Sequence, residues 1–151
     1  MCKVIDNRRR LSVWIIDKEP QKSKILQERG YKRIHCDPVN IFTYENGFPI
    51  VDLPDGFSII SLEDANDFKK INACLWKGSD HGPEPDDDLE CRMLMQVGPN
   101  FSKELTTVIK APNGDYACFA GMWFNEANKY AYLEPLATIP EYRKMGEEME
   151  D

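Results

Sequence analysis

A short loop near the end of the printed sequence carries residues suited to binding an anion. The stretch PEYRKMG (residues 140–146) places Arg143 and Lys144 shortly before Gly146. The two side chains bring positive charge, and a glycine lets the backbone approach a phosphate closely. If a helix followed this loop, its free N–H groups would also favour an anion. The spacing R-x-x-G is weak by itself, so its weight depends on the elements that precede it.

Three strands are predicted immediately before this loop. Residues 105–111, 116–126 and 130–138 are rich in β-branched and aromatic residues. Asn113-Gly114, between the first two segments, is a strong signal for a tight hairpin turn. The three segments therefore predict an antiparallel meander that leads into the loop.

One strand and one helix are predicted upstream of a second helix. Residues 57–62 alternate and then run apolar, which is typical of a strand. Residues 61–78 change to helical spacing, with Ser61 or Asp64 as the expected N-cap. The apolar face of this predicted helix consists of Ala65, Phe68, Ile71, Leu75 and Trp76.

The second helix is predicted after the loop HGPEPDDD, residues 81–88. We expect the acidic residues Asp86, Asp87 and Asp88 to lie in its first turn, where negative charge meets the positive end of the helix dipole. Gly98-Pro99 is its expected end. A metal-binding or acidic docking loop is the alternative interpretation of the same stretch. With the strands, the order β-α-α-β-β-β predicts an α+β fold.

The N-terminal part predicts a separate strand–helix–strand segment. Residues 11–17 read as a buried strand, and the helix after them begins near Pro20 and ends at Gly30. Residues 31–36 are expected to form the next strand. The following stretch is rich in Pro, Gly, Asn and Asp and reads as a connector, with a short strand at residues 40–44.

The overall composition limits the classes of partner. The chain has 151 residues, of which 42% are hydrophobic and 30% are charged, with a formal net charge of −7. This hydrophobic content suffices for a core, and the negative charge opposes binding to nucleic acid. No run of about 18 apolar residues is present, so no membrane partner is expected. The five scattered cysteines lack a CxxC pair and the two histidines stand alone, so we expect reduced thiols, a cytoplasmic protein and no metal site.

Residues 57–146 resemble the first two thirds of a GNAT-type N-acetyltransferase domain, which has a strand, two helices and three strands before its acetyl-CoA loop. The family's loop reads (Q/R)-x-x-G-x-(G/A). Arg143 takes its first position and Gly146 its first glycine, whereas Glu148 stands where a second glycine or alanine is expected. The resemblance implies the acyl-CoA N-acyltransferase fold: α+β, with a mixed, mainly antiparallel sheet and flanking helices, here incomplete at the C-terminus.

The beginning of the chain resembles the end of the same fold. Residues 11–33 are similar to the family's last strand–helix–strand unit, with Gly30-Tyr31 as its Gly-aromatic pair. The resemblance therefore predicts two parts. Residues 1–45 would be the tail of one GNAT-like domain plus a linker, and residues 46–151 the first two thirds of another. A cut from a tandem-domain protein would have this arrangement.

The resemblance also implies roles for individual residues. In the family, backbone amides of the fourth strand hold the pantetheine arm of acetyl-CoA and polarise the thioester carbonyl, which corresponds here to Leu136, Ala137 and Thr138. A carboxylate on that strand often relays a proton from the amine, and Glu134 stands at that place. The other implied residues for binding acetyl-CoA are Arg143, Lys144 and Gly146.

Functions of different classes stay open at this point. One is a GNAT-type N-acetyltransferase that moves acetyl from acetyl-CoA to a small-molecule or peptide amine. Another is a non-catalytic GNAT-like interaction module that has lost acetyl-CoA binding, and a third is a piece of a longer enzyme. The acidic stretch EEMED (residues 147–151) opposes a pyrophosphate, and Leu26 stands where the family often has a tyrosine acid.

A partner and a groove are further expectations. A sheet without its covering helix exposes an apolar face and an open edge. We therefore expect residues 11–17 to pack beside residues 130–138, either within the chain or as a homodimer formed by segment exchange. Aromatic residues that line an acceptor groove, or alternatively pack in the core, are Trp14, Trp76, Trp123, Tyr130, Tyr132 and Tyr142.

Overall fold

The chain divides into two units, Met1–Phe48 and Pro49–Asp151. The computed structural model describes residues 2–5, 8–43, 45, 47–48, 50 and 52–145. Each unit has its own sheet.

In its described residues, the first unit has a two-stranded sheet and a helix. Strand β1 (Cys2–Ile5) pairs antiparallel with β2 (Arg8–Leu11). Helix α1 (Pro20–Glu28) has its proline in the first turn, where the missing N–H costs nothing. Gly30 has a φ of 83° and donates its N–H to the carbonyl of Gln27 at 2.9 Å. Both helix signals in the sequence are therefore confirmed.

The strands predicted in this unit are wrong. Leu11 ends β2, and neither residues 12–16 nor residues 31–36 form regular structure. Residues 40–43 form no strand either, and Tyr44 lies outside the described residues. A strand needs a neighbour for its backbone N–H and C=O groups. In the described part of this unit, β1 pairs with the basic stretch Arg8–Leu11. The apolar side chains that follow this stretch have no such neighbour, and Trp14 is 71% exposed.

The second unit has an α+β architecture with a four-stranded antiparallel sheet. The elements are β3 (Ser58–Ser61), α2 (Phe68–Gly78), α3 (Glu90–Gln96), β4 (Thr107–Lys110), β5 (Tyr116–Asn125) and β6 (Tyr130–Thr138), followed by a 3₁₀ turn at Pro140–Tyr142. The strand order is β3-β4-β5-β6, so β3 and β6 form its two edges. The predicted strand, helices, meander and hairpin are confirmed, and Gly114 in the hairpin turn has a φ of 87°.

The helix starts differ from the sequence prediction. Asp67, not Ser61 or Asp64, caps α2, because its Oδ1 accepts the N–H groups of Lys69 and Lys70 at 3.0 and 3.1 Å. Ser61 instead donates its hydroxyl to Asp64 in the turn that precedes the helix.

The acidic stretch before α3 is also corrected. Asp86, Asp87 and Asp88 precede α3, which begins at Glu90, so they are not in its first turn. The buried side-chain amide of Asn72 holds this acidic stretch in place. Its Nδ2 donates to the carbonyl of Asp86 at 2.7 Å, and its Oδ1 accepts from Arg92 Nε at 2.9 Å. Asn72 thus fastens the stretch to α2 and ties α2 to α3.

One face of the sheet, the inner face, packs on α2. Its central row is Ile60, Val108, Phe119 and Ala137, one residue from each strand in register. Phe119 and Val108 are at most 1% exposed, and they lie in one cluster with Ile71, Cys74 and Leu75 of α2. Burial of these apolar side chains is the main source of stability in the unit.

The opposite face, the outer face, is also apolar. Its members are Ile59, Ser61, Thr107, Ile109, Cys118, Ala120, Met122, Phe124, Ala131, Leu133, Leu136 and Thr138. Every one of these residues keeps contact with solvent, and Ile59 and Leu136 are 61% and 62% exposed. Within the described part of this unit, the sheet is therefore covered on one side only.

Candidate functional site

The end of β6 presents backbone groups at the edge of the sheet. The N–H of Ile139 donates to the carbonyl of Ala117 at 2.9 Å. Hydrogen-bonded and non-hydrogen-bonded pairs alternate along an antiparallel ladder. Ala137, paired with Phe119, therefore directs its N–H and C=O toward β5, whereas those of Leu136 and Thr138 point away from it. Of the three implied backbone positions, two face outward and Ala137 faces the ladder.

A β-bulge lies directly before these outward groups. Ala120 pairs with Leu136 and Met122 with Leu133, so Glu134 and Pro135 together oppose Gly121. A Cβ at Gly121 would lie 2.7 Å from the carbonyl oxygen of Glu134, which shows how closely the two backbones approach. A bulge bends the strand that carries it and re-aims its side chains. It thereby separates the Tyr130–Leu133 part of β6 from the Leu136–Thr138 part.

Glu134 has a fixed backbone and an exposed side chain. Its carbonyl accepts the indole N–H of Trp123 at 2.6 Å, and the Trp123 ring meets Phe101 edge-on at 5.2 Å. The peptide bond to Pro135 is cis. The carboxylate is exposed to solvent, at the bulge next to the outward backbone groups. The geometry therefore brings Glu134, Leu136 and Thr138 to one stretch of the sheet edge.

Arg143 is held by three acceptors of the protein. Its Nε donates to the carbonyl of Thr138 at 3.1 Å, and its Nη2 donates to the carbonyl of Gly78 at 3.0 Å and to Asp80 Oδ1 at 3.3 Å. Gly78 ends α2, where a cation is favoured by the helix dipole. Arg143 therefore fastens the end of β6 to the end of α2, and its Nε and Nη2 are engaged within the protein.

The structure describes only some of the remaining residues of this loop. Lys144 is exposed and has a φ of 64°. Gly146 and Glu148 lie outside the described residues. An open cavity of about 320 Å³ lies between the end of α2 and the 3₁₀ turn, and its charged lining residues are Lys77, Asp80 and Glu141. The two carboxylates oppose an anion there, so Lys77 supplies the only positive charge among the lining residues.

Two glycines contribute to the site without having been predicted. Besides Gly121, Gly78 packs so closely on β6 that a Cβ would lie 2.8 Å from that of Ala137 and 3.1 Å from the Thr138 nitrogen. A glycine inside the apolar stretch CFAGMW is a sequence signal for a bulge and would have revealed Gly121. Gly78 has no comparable signal, because a glycine at a helix end is ordinary.

The aromatic residues separate into core and surface. The hydroxyl of Tyr142 accepts from Asn113 Nδ2 at 3.0 Å, its ring meets Phe57 edge-on at 5.8 Å, and it packs on the core. Tyr130 and Tyr132, in contrast, are 46% and 50% exposed. Core packing, one of the two alternatives, therefore applies to Tyr142. Tyr130 and Tyr132 have the exposure that a groove-lining residue needs.

The thiols near the site are not arranged for chemistry. Burial raises the pKa of the Cys74 thiol to about 12, with a smaller contribution from Cys118, so Cys74 stays protonated at neutral pH. Its Sγ lies 3.9 Å from the carbonyl oxygen of Ala137. Cys118 points to the outer face, where Thr138 Oγ1 lies 3.4 Å from its sulfur. The two thiols are on opposite faces of the sheet.

The described residues hold neither a cluster of metal ligands nor a membrane-spanning helix. No group of three or more His, Cys, Asp or Glu side chains there is placed to hold a metal ion. In that same part of the chain, no helix combines the length and the apolar character needed to cross a membrane.

Comparison with known proteins adds no family. No family model matches this chain, and no curated protein matches it. The GNAT resemblance therefore rests on the residues and on the order of elements described above.

Proposed function

We infer that the Pro49–Asp151 unit works as a GNAT-type N-acetyltransferase, which moves acetyl from acetyl-CoA to the amine of a small molecule or peptide. The observation that carries this proposal is the outer edge of β6. There Leu136 and Thr138 direct backbone groups away from β5, immediately after a bulge that carries an exposed carboxylate. An extended ligand with amide groups, such as the pantetheine arm, pairs with a strand edge of this kind.

Some, but not all, of the outward backbone groups at this edge are available to a ligand. The carbonyl of Thr138 is already used by Arg143, so the N–H and C=O of Leu136 and the N–H of Thr138 are the groups left for the ligand. An N–H group beside the thioester carbonyl oxygen stabilises the negative charge that develops there during attack. Acetyl-CoA as co-substrate supplies the acetyl group and a thiol leaving group.

Glu134 provides the base in this proposal. The amine nitrogen forms a bond to the thioester carbon while the carbon–sulfur bond breaks, and the amine loses a proton to the carboxylate. The departing thiolate takes a proton from water and leaves as a thiol, and Glu134 returns the amine's proton to the solvent, so the carboxylate is restored. The exposure of Glu134 at the bulge gives it access to an amine that approaches this edge. We expect Glu134→Gln to lower kcat about 10²-fold or more, the usual contribution of a general base.

Calorimetric titration of acetyl-CoA is the direct test of binding. Leu136→Pro removes one outward N–H at an edge position that tolerates proline, and Leu136→Ala keeps that N–H as the matched control. We expect wild type and Leu136→Ala to bind alike and Leu136→Pro to bind about fivefold or more weakly, the share of one hydrogen bond. Equal affinity of all three, or amide NMR shifts that spare Leu136 and Thr138, would contradict the proposed edge.

The non-catalytic module is the second candidate, and Arg143 favours it. Its Nε and Nη2 donate to Thr138, Gly78 and Asp80 within the protein, which leaves fewer N–H groups for a phosphate. In this alternative the wild-type protein shows no heat of binding with acetyl-CoA. Arg143→Gln then lowers the free energy of unfolding by about 1 kcal/mol, since the contacts are partly exposed, and changes nothing else.

The two candidates make opposite predictions for this variant. If Arg143 serves acetyl-CoA, Arg143→Gln weakens binding by more than its stability loss explains. Arg143→Lys is the control that keeps the charge but loses the forked geometry. The homodimer formed by segment exchange stays a prediction beside both candidates.

A further inference from the structure

The hairpin turn between β4 and β5 contains a chemically reactive pair, Asn113-Gly114. The side-chain carbonyl carbon of an asparagine can be attacked by the backbone nitrogen of the next residue. A glycine in that next position has no Cβ, so its nitrogen is unhindered. The pair is therefore reactive by sequence, and the way in which the fold holds it decides whether the reaction takes place.

The backbone of the turn engages the attacking nitrogen. Gly114 donates its N–H to the carbonyl of Ala111 at 2.9 Å, so residues 111–114 form a β-turn with Asn113 at its third position. Asn113 keeps a negative φ and Gly114 has a φ of 87°, which is typical of a type I turn followed by a left-handed glycine. Lys70 Nζ also donates to the carbonyl of Gly114 at 2.7 Å. Attack requires the nitrogen to turn toward the side chain, so the turn has to open first.

The side-chain amide of Asn113 is held at both of its polar atoms. Its Oδ1 accepts the N–H of Asp115 at 3.0 Å. Its Nδ2 donates to Asp115 Oδ2 and to the hydroxyl of Tyr142, each at 3.0 Å. Tyr142 belongs to the 3₁₀ turn after β6, and its ring packs on the core and meets Phe57 edge-on. Three hydrogen bonds thus keep the amide from rotating toward Gly114, and one of them involves a residue 29 positions later.

We propose that Asn113 is a site of spontaneous deamidation that Tyr142 keeps closed. The amide is released when the 3₁₀ turn lifts from the hairpin. The nitrogen of Gly114 then forms a bond to the side-chain carbonyl carbon and gives up its proton, the bond from that carbon to Nδ2 breaks, and Nδ2 leaves with the proton as ammonia. Water opens the resulting cyclic imide at either of its carbonyl carbons, which gives aspartate or isoaspartate.

Both products weaken the contact between the hairpin and the 3₁₀ turn. A carboxylate at position 113 has no hydrogen to donate, and it would lie against the carboxylate of Asp115, which now accepts from the amide at 3.0 Å. Isoaspartate also adds a methylene group to the backbone, which disturbs the hydrogen bond from Gly114 to Ala111. Because Arg143 follows Tyr142 directly, the reaction loosens the segment next to Arg143 irreversibly, with or without acetyl-CoA binding.

The test is the rate at which Asn113 is converted in the whole chain at mildly alkaline pH, followed by peptide mapping with mass spectrometry and isoaspartate detection. A synthetic peptide of residues 109–117 gives the rate without the fold. We expect the folded chain to react at least about tenfold more slowly than the peptide, because several hydrogen bonds have to open first. Tyr142→Phe removes the hydroxyl and keeps the ring on Phe57. We expect it to react about fivefold faster than the wild type, the share of one hydrogen bond.

The matched control is Tyr130→Phe, which removes the hydroxyl of an exposed tyrosine on β6 and should react like the wild type. Asn113→Asp reproduces one product, and we expect faster hydrogen exchange at the N–H of Tyr142, which donates to Ile139. Circular dichroism verifies that each variant is folded. Asp115→Ala removes the other acceptor of Nδ2, and it replaces Tyr142→Phe if that variant does not fold. Equal rates for the peptide and the folded wild type, or for Tyr142→Phe and Tyr130→Phe, would overturn the proposal.

Discussion

The inner and outer faces of the sheet use alternate residues of the same four strands, yet their surroundings differ. On the inner face Phe119 is fully buried against α2, while its neighbour Cys118 on the outer face remains in contact with solvent. Ile60 packs on the core, whereas Ile59 is 61% exposed. Both faces of the strands are apolar, so composition does not reveal which face is covered. Covering depends on a second element, and within this unit α2 provides it for the inner face.

A matched pair of phenylalanines on β5 measures this difference, and it should give the largest effect. Phe119→Ala removes a fully buried ring, and we expect a loss of about 3–5 kcal/mol in the free energy of unfolding. Phe124→Ala removes a partly exposed ring on the outer face, and we expect about 1 kcal/mol at a low protein concentration. Urea unfolding measures both.

If Phe119→Ala does not fold, Phe119→Leu replaces it in the test. We expect this variant to lose about 1–2 kcal/mol in the free energy of unfolding, because only part of the side-chain volume is removed. Similar losses for Phe119→Ala and Phe124→Ala would mean that both faces are equally covered, and the comparison would no longer hold.

The bulge in β6 provides the next test, with a medium effect. Gly121→Ala brings a Cβ to 2.7 Å from the Glu134 oxygen and 2.8 Å from Pro135 Cδ, and backbone atoms there cannot yield easily. We expect a loss of about 1–3 kcal/mol in thermal or urea unfolding. Ala120→Ser, one residue away on the outer face, should cost less than about 0.5 kcal/mol. Unchanged stability of Gly121→Ala would show that β5 and β6 do not approach as closely as described.

Cys74 offers the smallest effect, through pH. Its folded pKa of about 12 lies above the unfolded value of 9.0, so the thiol's contribution is complete below pH 9 and is lost as pH rises toward 12. Each pH unit in that window costs up to about 1.4 kcal/mol. Between about pH 8 and pH 10, we expect the wild type to lose about 1 kcal/mol more in unfolding free energy than Cys74→Ala, which has no thiol there.

The control for this experiment is Cys91→Ala, which alters an exposed cysteine and keeps Cys74. It should follow the wild type at every pH. If Cys74→Ala also follows the wild type, the thiol is not buried on the inner face as described.

The sequence predicted the second unit better than the first for a physical reason. In the second unit local signals agree with the pairing, since Asn113-Gly114 turns β4 into β5 and the segment Tyr130–Thr138 pairs along β5. In the first unit residues 12–17 have strand composition but form no strand, because composition does not provide a neighbouring strand.

The candidate site shows the same limit. Glu134, Leu136 and Thr138 lie together because they are close in sequence on one strand. Arg143 has the side chain of an anion ligand, but its partners Gly78 and Asp80 are more than 60 residues away, and no local pattern announces them.

The sequence by itself determined the α+β class, the order of elements from β3 to β6, the hairpin turn and the ends of α1. These depend on side-chain periodicity and on residues that favour a particular backbone geometry, and both are local properties. Only the tertiary structure decided that Asp67 caps α2, that Arg143 closes the end of that helix on β6, and that one apolar face of the sheet is buried while the other is exposed. Those outcomes depend on which distant groups are within hydrogen-bonding or packing distance, and that distance is set by the folded chain.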